Sequence, residues 1–493
     1  MNKGMVYFVG AGPGDIDLMT VKGKKVLQQA DVVIFDRLIN PFLLTDVKED
    51  AKLIYCGKQP CKHTLRQEDI QKEILIHARK GKTVVRLKGG DPAVFGRVGE
   101  EAEQLAENHI NYEIIPGITA GIAASMYAGV PITHRNHSKS FAVVTGHGSK
   151  EDGTPQIEWD SLSKGVETIV FYMGVKHLKT IATQLTKHGK SKETAVLVVQ
   201  WGTYSKQKTV EGTLATIANK VEQANVTNPA IIVVGDVVKL RNKLAWFDNK
   251  PLTGKGILIP SKQLENKELV ATLKKHGADV FEHELFTEEK VKDTLSFKQL
   301  TEASSEQELV FLSAQSVDLF LKALGEHELD LRDIKSTFVS VNQEVKTRLQ
   351  MVGLPSFLLE EKALSDPIVV GREIEIETFN WQYSKSLKNL MVAKKKVVNK
   401  DIESFTRLIE EEHVNTILLT NHVDVLTFLS FLTVSGVSKE KVLKKVKVVC
   451  NGREASLLVK ANKIPIDQVL EKNDLAQIVE ILEETSLIKE SLS

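Results

Sequence analysis

The chain has 493 residues, 42% hydrophobic and 26% charged, which is the make-up of a soluble globular protein too long for a single core. Its 65 Lys and Arg against 64 Asp and Glu leave a net charge of +1. That excludes a global field attracting nucleic acid or membrane, so an anionic ligand must be met by local clusters of Arg, Lys and His. Three cysteines cannot staple a fold, and no apolar run has the length of a membrane span. MNKGMVYFVGAGPG runs straight into a strand and a glycine turn and does not read as a signal peptide, so a cytoplasmic protein is expected.

Residues 5–9 read as a strand ending in the turn GAGPGD, with a helix through Leu18, Val26 and Leu27 behind it. Residues 31–35 are a second buried strand ending at Asp36-Arg37, and residues 53–56 a third. Residues 66–79 carry helical spacing at Ile70, Ile74, Leu75 and Ala78. In VVRLKGGDPAVFGRVGEEA, residues 84–102, a strand breaks at Gly89-Gly90, and Asp91-Pro92 reads as a helix opening. Asp caps free N–H groups there, and Pro loses nothing in the first turn. A strand over 112–115, Pro116-Gly117 and the small-residue helix ITAGIAASMYAG follow. The alternation argues a mostly parallel sheet covered by helices.

The pattern continues with FAVVTGH, a polar loop over 148–163, and ETIVFYMG. Residues 195–200 and 229–235 are further strands, with Glu211-Gly212-Thr213-Leu214 opening the helix between them. Periodicity fails over RNKLAWFDNKPLTGKG, and the domain boundary is placed there, giving domains 1–249 and 255–493. The second half restarts at GILIP. Its later segments form a loose repeat: SAQSVDLFL and TNHVDVLTFL each follow a strand, as do SVNQEVKTRL and CNGREASLLV. Two copies of one α/β unit account for this. Lys394, Lys395 and Lys396 read as a solvated face.

GAGPGD with Asp36 further on superficially matches a dinucleotide fingerprint. The third glycine would fall at Asp15, however, and Pro13 lacks an N–H to offer a pyrophosphate. The turn therefore suits a ligand without phosphates that needs close backbone approach. Cys56, Cys61 and His63 lack an evident fourth ligand, so no metal site is expected. His134, His137 and His147 read as packed or hydrogen-bonded histidines.

VGAGPGDIDLMTVKG, ADVVIFDRL, VVRLKGGDPAVFGRVGEEA, IIPGITAGIAASMYAGVPITHR, VTGH and FYMG occur in the order and spacing of uroporphyrinogen-III C-methyltransferases, which the first half resembles. The resemblance implies the two-lobed α/β tetrapyrrole-methylase fold, with S-adenosylmethionine as methyl donor and uroporphyrinogen III as acceptor. It also implies double methylation to precorrin-2 toward siroheme and cobalamin, and a homodimer formed through the methyltransferase domain. The donor would touch Pro13, Gly89, Gly90, Asp91, Val94, Thr119, Ala120, Met173 and Gly202. Lys58, Arg97 and Arg135 would anchor acceptor carboxylates, and Asp36 or Glu100 would accept a proton. Ala93 and Val98 stand where the family commonly has Phe and Gly, and a β-branched residue takes positive φ only at a cost.

The second half is similar in layout to uroporphyrinogen-III synthase, a two-lobed α/β fold on a two-stranded hinge that cyclises hydroxymethylbilane. Ser313, Thr420 and Asn421 are its cleft residues by that likeness. ILIPSK and CNGREA depart from the usual turns, so a non-catalytic binding or assembly domain stands as the alternative.

Overall fold

The computed structural model describes residues 4–57, 67–148, 155–261, 266–291, 294–301, 307–383, 387–470 and 475–490. Strands β1 (Met5–Gly10), β2 (Val32–Phe35), β3 (Lys52–Tyr55), β4 (Thr83–Lys88) and β5 (Asn111–Ile115) form a first lobe. Their sheet is wholly parallel, in the order β3-β2-β4-β1-β5. Helices cover both faces, which is why β2, VVIF, is buried at every position.

The second lobe holds β6 (Phe141–Thr145), β7 (Thr168–Tyr172), β8 (Ala195–Gln200), β9 (Lys208–Thr213) and β10 (Ala230–Val234), in the order β6-β7-β10-β8-β9. Only β6 and β7 run parallel; β10 opposes both β7 and β8, and β9 opposes β8. Two sequence expectations change here. The sheet is mixed, and Glu211-Gly212-Thr213 belongs to β9, the next helix opening only at Ile217. The link from β8 to β9 is too short for a parallel crossover, so the chain must return antiparallel.

The second half contains two sheets. The third lobe has β11 (Gly256–Ile259), β12 (Asp279–Glu282), β19 (Thr416–Leu419), β20 (Lys447–Asn451) and β21 (Gln468–Leu470), in the order β12-β11-β19-β20-β21. Between β12 and β19 the chain builds the fourth lobe. Its strands are β13 (Thr287–Lys290), β14 (Gln307–Phe311), β15 (Thr337–Ser340), β16 (Phe357–Leu358), β17 (Asp366–Arg372) and β18 (Lys388–Lys396). Their order is β13-β18-β17-β14-β15-β16. The loose sequence repeat maps onto this symmetry, because β14-β15-β16 and β19-β20-β21 occupy equivalent places in their sheets.

The two passages between these lobes lie side by side as the antiparallel pair β13 and β18, with Glu288 opposite Lys395 and Glu289 opposite Lys394. The lysine run is therefore not uniformly solvated, since strand alternation turns Lys395 inward. Its Nζ donates to Glu377 at 2.6 Å and to Ser430 at 2.9 Å.

The halves pack directly on one another. Phe42 of the first half joins the third-lobe core and meets Phe281 with ring centroids 5.2 Å apart. Gly254 N donates to Ser205 O at 2.7 Å, and Ser205 N to Asp279 Oδ2 at 2.8 Å. Burial at this junction pushes the Asp279 carboxyl up to about 7, against the Ser205 hydrogen bond that favours its charge. A carboxyl raised on folding binds more protons folded than unfolded, so its contribution to stability falls as pH rises from about 4 to about 7. Asp279→Asn keeps an acceptor for Ser205 and removes that charge. Thermal melts across this window should be flatter for the variant than for the parent, with the variant the more stable at pH 8; parallel profiles would exclude the assignment.

Candidate active site

Three turns at the C-terminal edge of the first sheet touch backbone to backbone. Gly90 N donates to Gly12 O at 2.7 Å, and Gly12 N to Gly90 O at 3.2 Å. A Cβ on Gly117 would stand 2.2 Å from Gly90 O and 2.8 Å from the Gly10 Cα. Asp91 locks the arrangement, Oδ1 accepting from Ala93 N at 2.7 Å and Oδ2 from Gly117 N at 3.0 Å. The bond to Ala93 N is of the capping kind, yet no helix follows Asp91-Pro92 as the sequence implied. Turns occupy the next residues, and the helix Val98–Glu107 begins later. Val98 packs into the core as its first residue; the left-handed conformation falls on Arg97, with φ 58°.

These turns and the edge of the second lobe enclose a cavity of about 530 Å³, inside the roughly 300–1,000 Å³ range of small-molecule sites. Pro13, Gly89, Gly90, Asp91, Val94, Thr119, Ala120, Met173 and Gly202 all line it, together with Asp36. Phe95, Tyr172, Trp201 and Tyr204 complete the wall, and sequence reasoning missed all four. The ring of Phe95 reaches across the lobes to Tyr172, at 5.2 Å between centroids. The Tyr172 hydroxyl bonds Thr119 Oγ1 at 2.5 Å and also accepts from Gly121 N.

Backbone strain concentrates here. Phe95, Met173 and Trp201 on the wall, with Arg97 and Thr203 beside it, have φ of 56°, 56°, 50°, 58° and 72°. Each such residue costs on the order of 1–3 kcal/mol, tolerated where the surroundings over-determine the conformation.

Under the cavity runs a buried charge network. Arg86 donates to Asp36 Oδ1 at 2.7 Å and faces Glu101 Oε2 at 3.4 Å. Glu101 Oε1 accepts from Lys88 Nζ at 2.9 Å and from Gln67 at 2.8 Å. Lys88 lines the cavity, its pKa lowered by burial and by neighbouring Arg86. The predicted Glu100 is one residue away from this network, exposed and paired with Arg97. That pair follows directly on Gly96, which lines the cavity. Arg135 is exposed in the turn between His134 and Ser138, and Lys58 lies outside the described residues. His137 bonds Asp236 at 2.6 Å, as a structural histidine would.

The family of tetrapyrrole (corrin/porphyrin) methylases matches residues 5–218. A uroporphyrinogen-III C-methyltransferase of Bacillus subtilis is 38% identical over 456 residues, covering 92% of this chain and 93% of that protein. The chain belongs to the uroporphyrinogen-III C-methyltransferase family. A second member, from Priestia megaterium, is 56% identical over 235 residues, 48% of this chain and 98% of its own length. Among solved structures, a uroporphyrin-III C-methyltransferase from Thermus thermophilus in complex with S-adenyl homocysteine is 34% identical. It covers 48% of this chain and 94% of its own, with a TM-score of 0.42.

Beyond the methyltransferase half, Ser313 and the pair Thr420 and Asn421 sit in different lobes, each after the C-terminal end of a parallel strand. Ser313 caps the helix Ala314–Glu326 in a reciprocal box with Ser316. Thr420 N and Oγ1 both donate to Asp424 Oδ2, at 2.7 and 2.6 Å, and Ser261 Oγ donates to Oδ1. Asn421 Oδ1 accepts from Asp424 N at 3.0 Å. Asp424 is fully buried.

The glycine contact generates a paired prediction. Gly117→Ala forces backbone apart and should cost more than about 2 kcal/mol in denaturant melts. Gly99 lies in the helix Val98–Glu107 with nothing within 4 Å of an added Cβ, so Gly99→Ala should stabilise by up to about 1 kcal/mol.

Proposed function

We propose that the first half transfers methyl groups from S-adenosylmethionine to ring carbons of uroporphyrinogen III, twice, yielding precorrin-2 on the branch to siroheme and cobalamin. Family membership supports the reaction. The observation that carries the residue roles is that one cavity between two lobes gathers the nine expected donor residues and Asp36.

The cavity fits the donor chemically. Its floor is bare glycine backbone, suited to close approach by polar groups, and Val94, Ala120, Met173, Val199 and Ile231 make apolar walls that exclude water. The donor supplies an electrophilic methyl on a sulfonium; sulfur keeps the bonding pair as the ring carbon takes the methyl. That carbon already bears a side chain and no hydrogen, so the cationic ring regains neutrality by losing a proton from a pyrrole nitrogen or an adjoining methylene bridge. Asp36, held by Arg86, is the acceptor we assign, with exposed Glu100 the alternative. Lys58, Arg97 and Arg135 anchor the acceptor's carboxylates.

We further propose a homodimer through this half. Ile118, Ile122 and Met126, at four-residue spacing, and Tyr112 and Ile114 of the edge strand β5 are all exposed. No helix among the described residues is long and apolar enough to cross a membrane.

For the second half we propose cyclisation of hydroxymethylbilane to uroporphyrinogen III, which would make residues 1–249 and 255–493 separate catalytic domains. Two equivalent lobes joined by the β13 and β18 pair support it. One observation favours a second reading, a non-catalytic assembly domain. The N–H and hydroxyl groups of Thr420, which would greet a substrate carboxylate, are already filled by Asp424.

Two assays test these readings. Labelled S-adenosylmethionine with uroporphyrinogen III should place label in the tetrapyrrole, and its absence would refute the methyltransferase reading. Hydroxymethylbilane alone should yield isomer III above the spontaneous isomer I if the second half is a synthase; isomer I alone selects the assembly domain.

A further inference from the structure

The donor cavity is walled by residues 36–38 of the first lobe and by Trp201, Gly202 and Tyr204 of the second. Both walls are touched from behind by one short stretch of the second half, the C-terminal end of the helix Asn399–Glu410 and the turn after it. Arg407, 4% exposed, donates to the Arg37 carbonyl at 2.9 Å. Its guanidinium lies 5.4 Å from the ring centre of Phe35 and 4.8 Å from that of Tyr55. His413, 3% exposed, packs on the ring of Tyr204 at 4.7 Å and edge-on to Trp201 at 5.4 Å.

Glu411 ties the two contacts together. Its Oε1 accepts from Arg407 Nε at 2.8 Å, and its Oε2 faces His413 Nε2 at 3.5 Å. Lys206 adds a second clamp, donating to the Glu411 carbonyl at 2.7 Å while lying 4.0 Å over the Trp201 ring. A buried ion pair, here Arg407 with Glu411 beside a neutral His413 imidazole, is a poor way to gain stability, since apolar packing of equal volume does as well or better. What it supplies is direction. A guanidinium bonded to one backbone carbonyl and one carboxylate fixes distances that apolar contacts leave soft.

We propose that the second half braces the methyl-donor cavity, with Arg407 and His413 as positioning residues that hold its two walls at their working separation. Neither residue lines the cavity, so both act through Arg37 and through Trp201 and Tyr204. The role is independent of whether the second half is a synthase, and it rests on the donor reading of the cavity. It also gives a non-catalytic second half a task in the established family reaction.

The test uses the full chain and steady-state methyl transfer. Arg407→Met and His413→Ala should raise KM for S-adenosylmethionine roughly tenfold and leave kcat at saturating donor within about twofold, the signature of lost uniform binding. His413→Phe keeps a ring against Tyr204 and should behave as the parent. Lys400→Ala is the interface control: it loses bonds to the Thr45 and Val47 carbonyls from the same helix but reaches no cavity residue, and should leave the donor KM unchanged. An unchanged KM in folded Arg407→Met or His413→Ala overturns the brace, as does an equal rise in Lys400→Ala. If Arg407→Met fails to fold, the contrast between His413→Ala and His413→Phe decides. A parent chain that binds no donor, by calorimetry, overturns the donor reading itself and is distinguishable from all of these.

Discussion

The contact among Gly10, Gly12, Gly90 and Gly117 is the constraint on which the catalytic half depends. Three strand ends converge so closely that no side chain can stand between them, and the floor of the cavity is therefore backbone. Bare backbone offers donors and acceptors at fixed positions and lets a ligand approach without displacing side chains. Asp91 completes the lock by bridging the turn after β4 to the turn after β5. Once those turns are fixed, the helix start moves to Val98, and the phase of that helix decides which carboxylate faces inward.

Around this floor the protein accepts local cost. Left-handed Phe95, Met173 and Trp201 aim side chains at the cavity from tight turns. Four buried or half-buried charges, Asp36, Arg86, Glu101 and Lys88, alternate in sign beneath it. Alternation keeps the group near neutral and holds Asp36 in one orientation. Strained turns and buried charges persist only in rigid surroundings, and the second half contributes to that rigidity by packing Arg407 and His413 against both walls.

The second half tells a different story about polar groups. Its turns after parallel strands close on themselves, Ser313 bonding Ser316 and Thr420 bonding Asp424. A turn that supplies its own carboxylate is stable without substrate.

Much of this protein was written in local sequence. Apolar runs such as VVIF marked the strands, because strands buried on both faces must be apolar throughout. Glycine and proline marked the turns that build the cavity, and the resemblance of the motifs around them named the residues expected to meet a donor. Other features depended on tertiary structure. Glu100 and Glu101 are the same residue type side by side, and only the helix phase set by Arg97 turns Glu101 onto Arg86 and Lys88. β9 reads locally like a helix opening and becomes a strand because a short link from β8 forces a return. Lys395 looks like its two neighbours until β18 pairs with β13. Arg407 and Arg37 are hundreds of residues apart, and no local pattern foretells their bond. Periodicity and turn chemistry act over a few residues and are legible there; the pairing of buried charges and the closing of a cavity between lobes are decided by which surfaces meet in space.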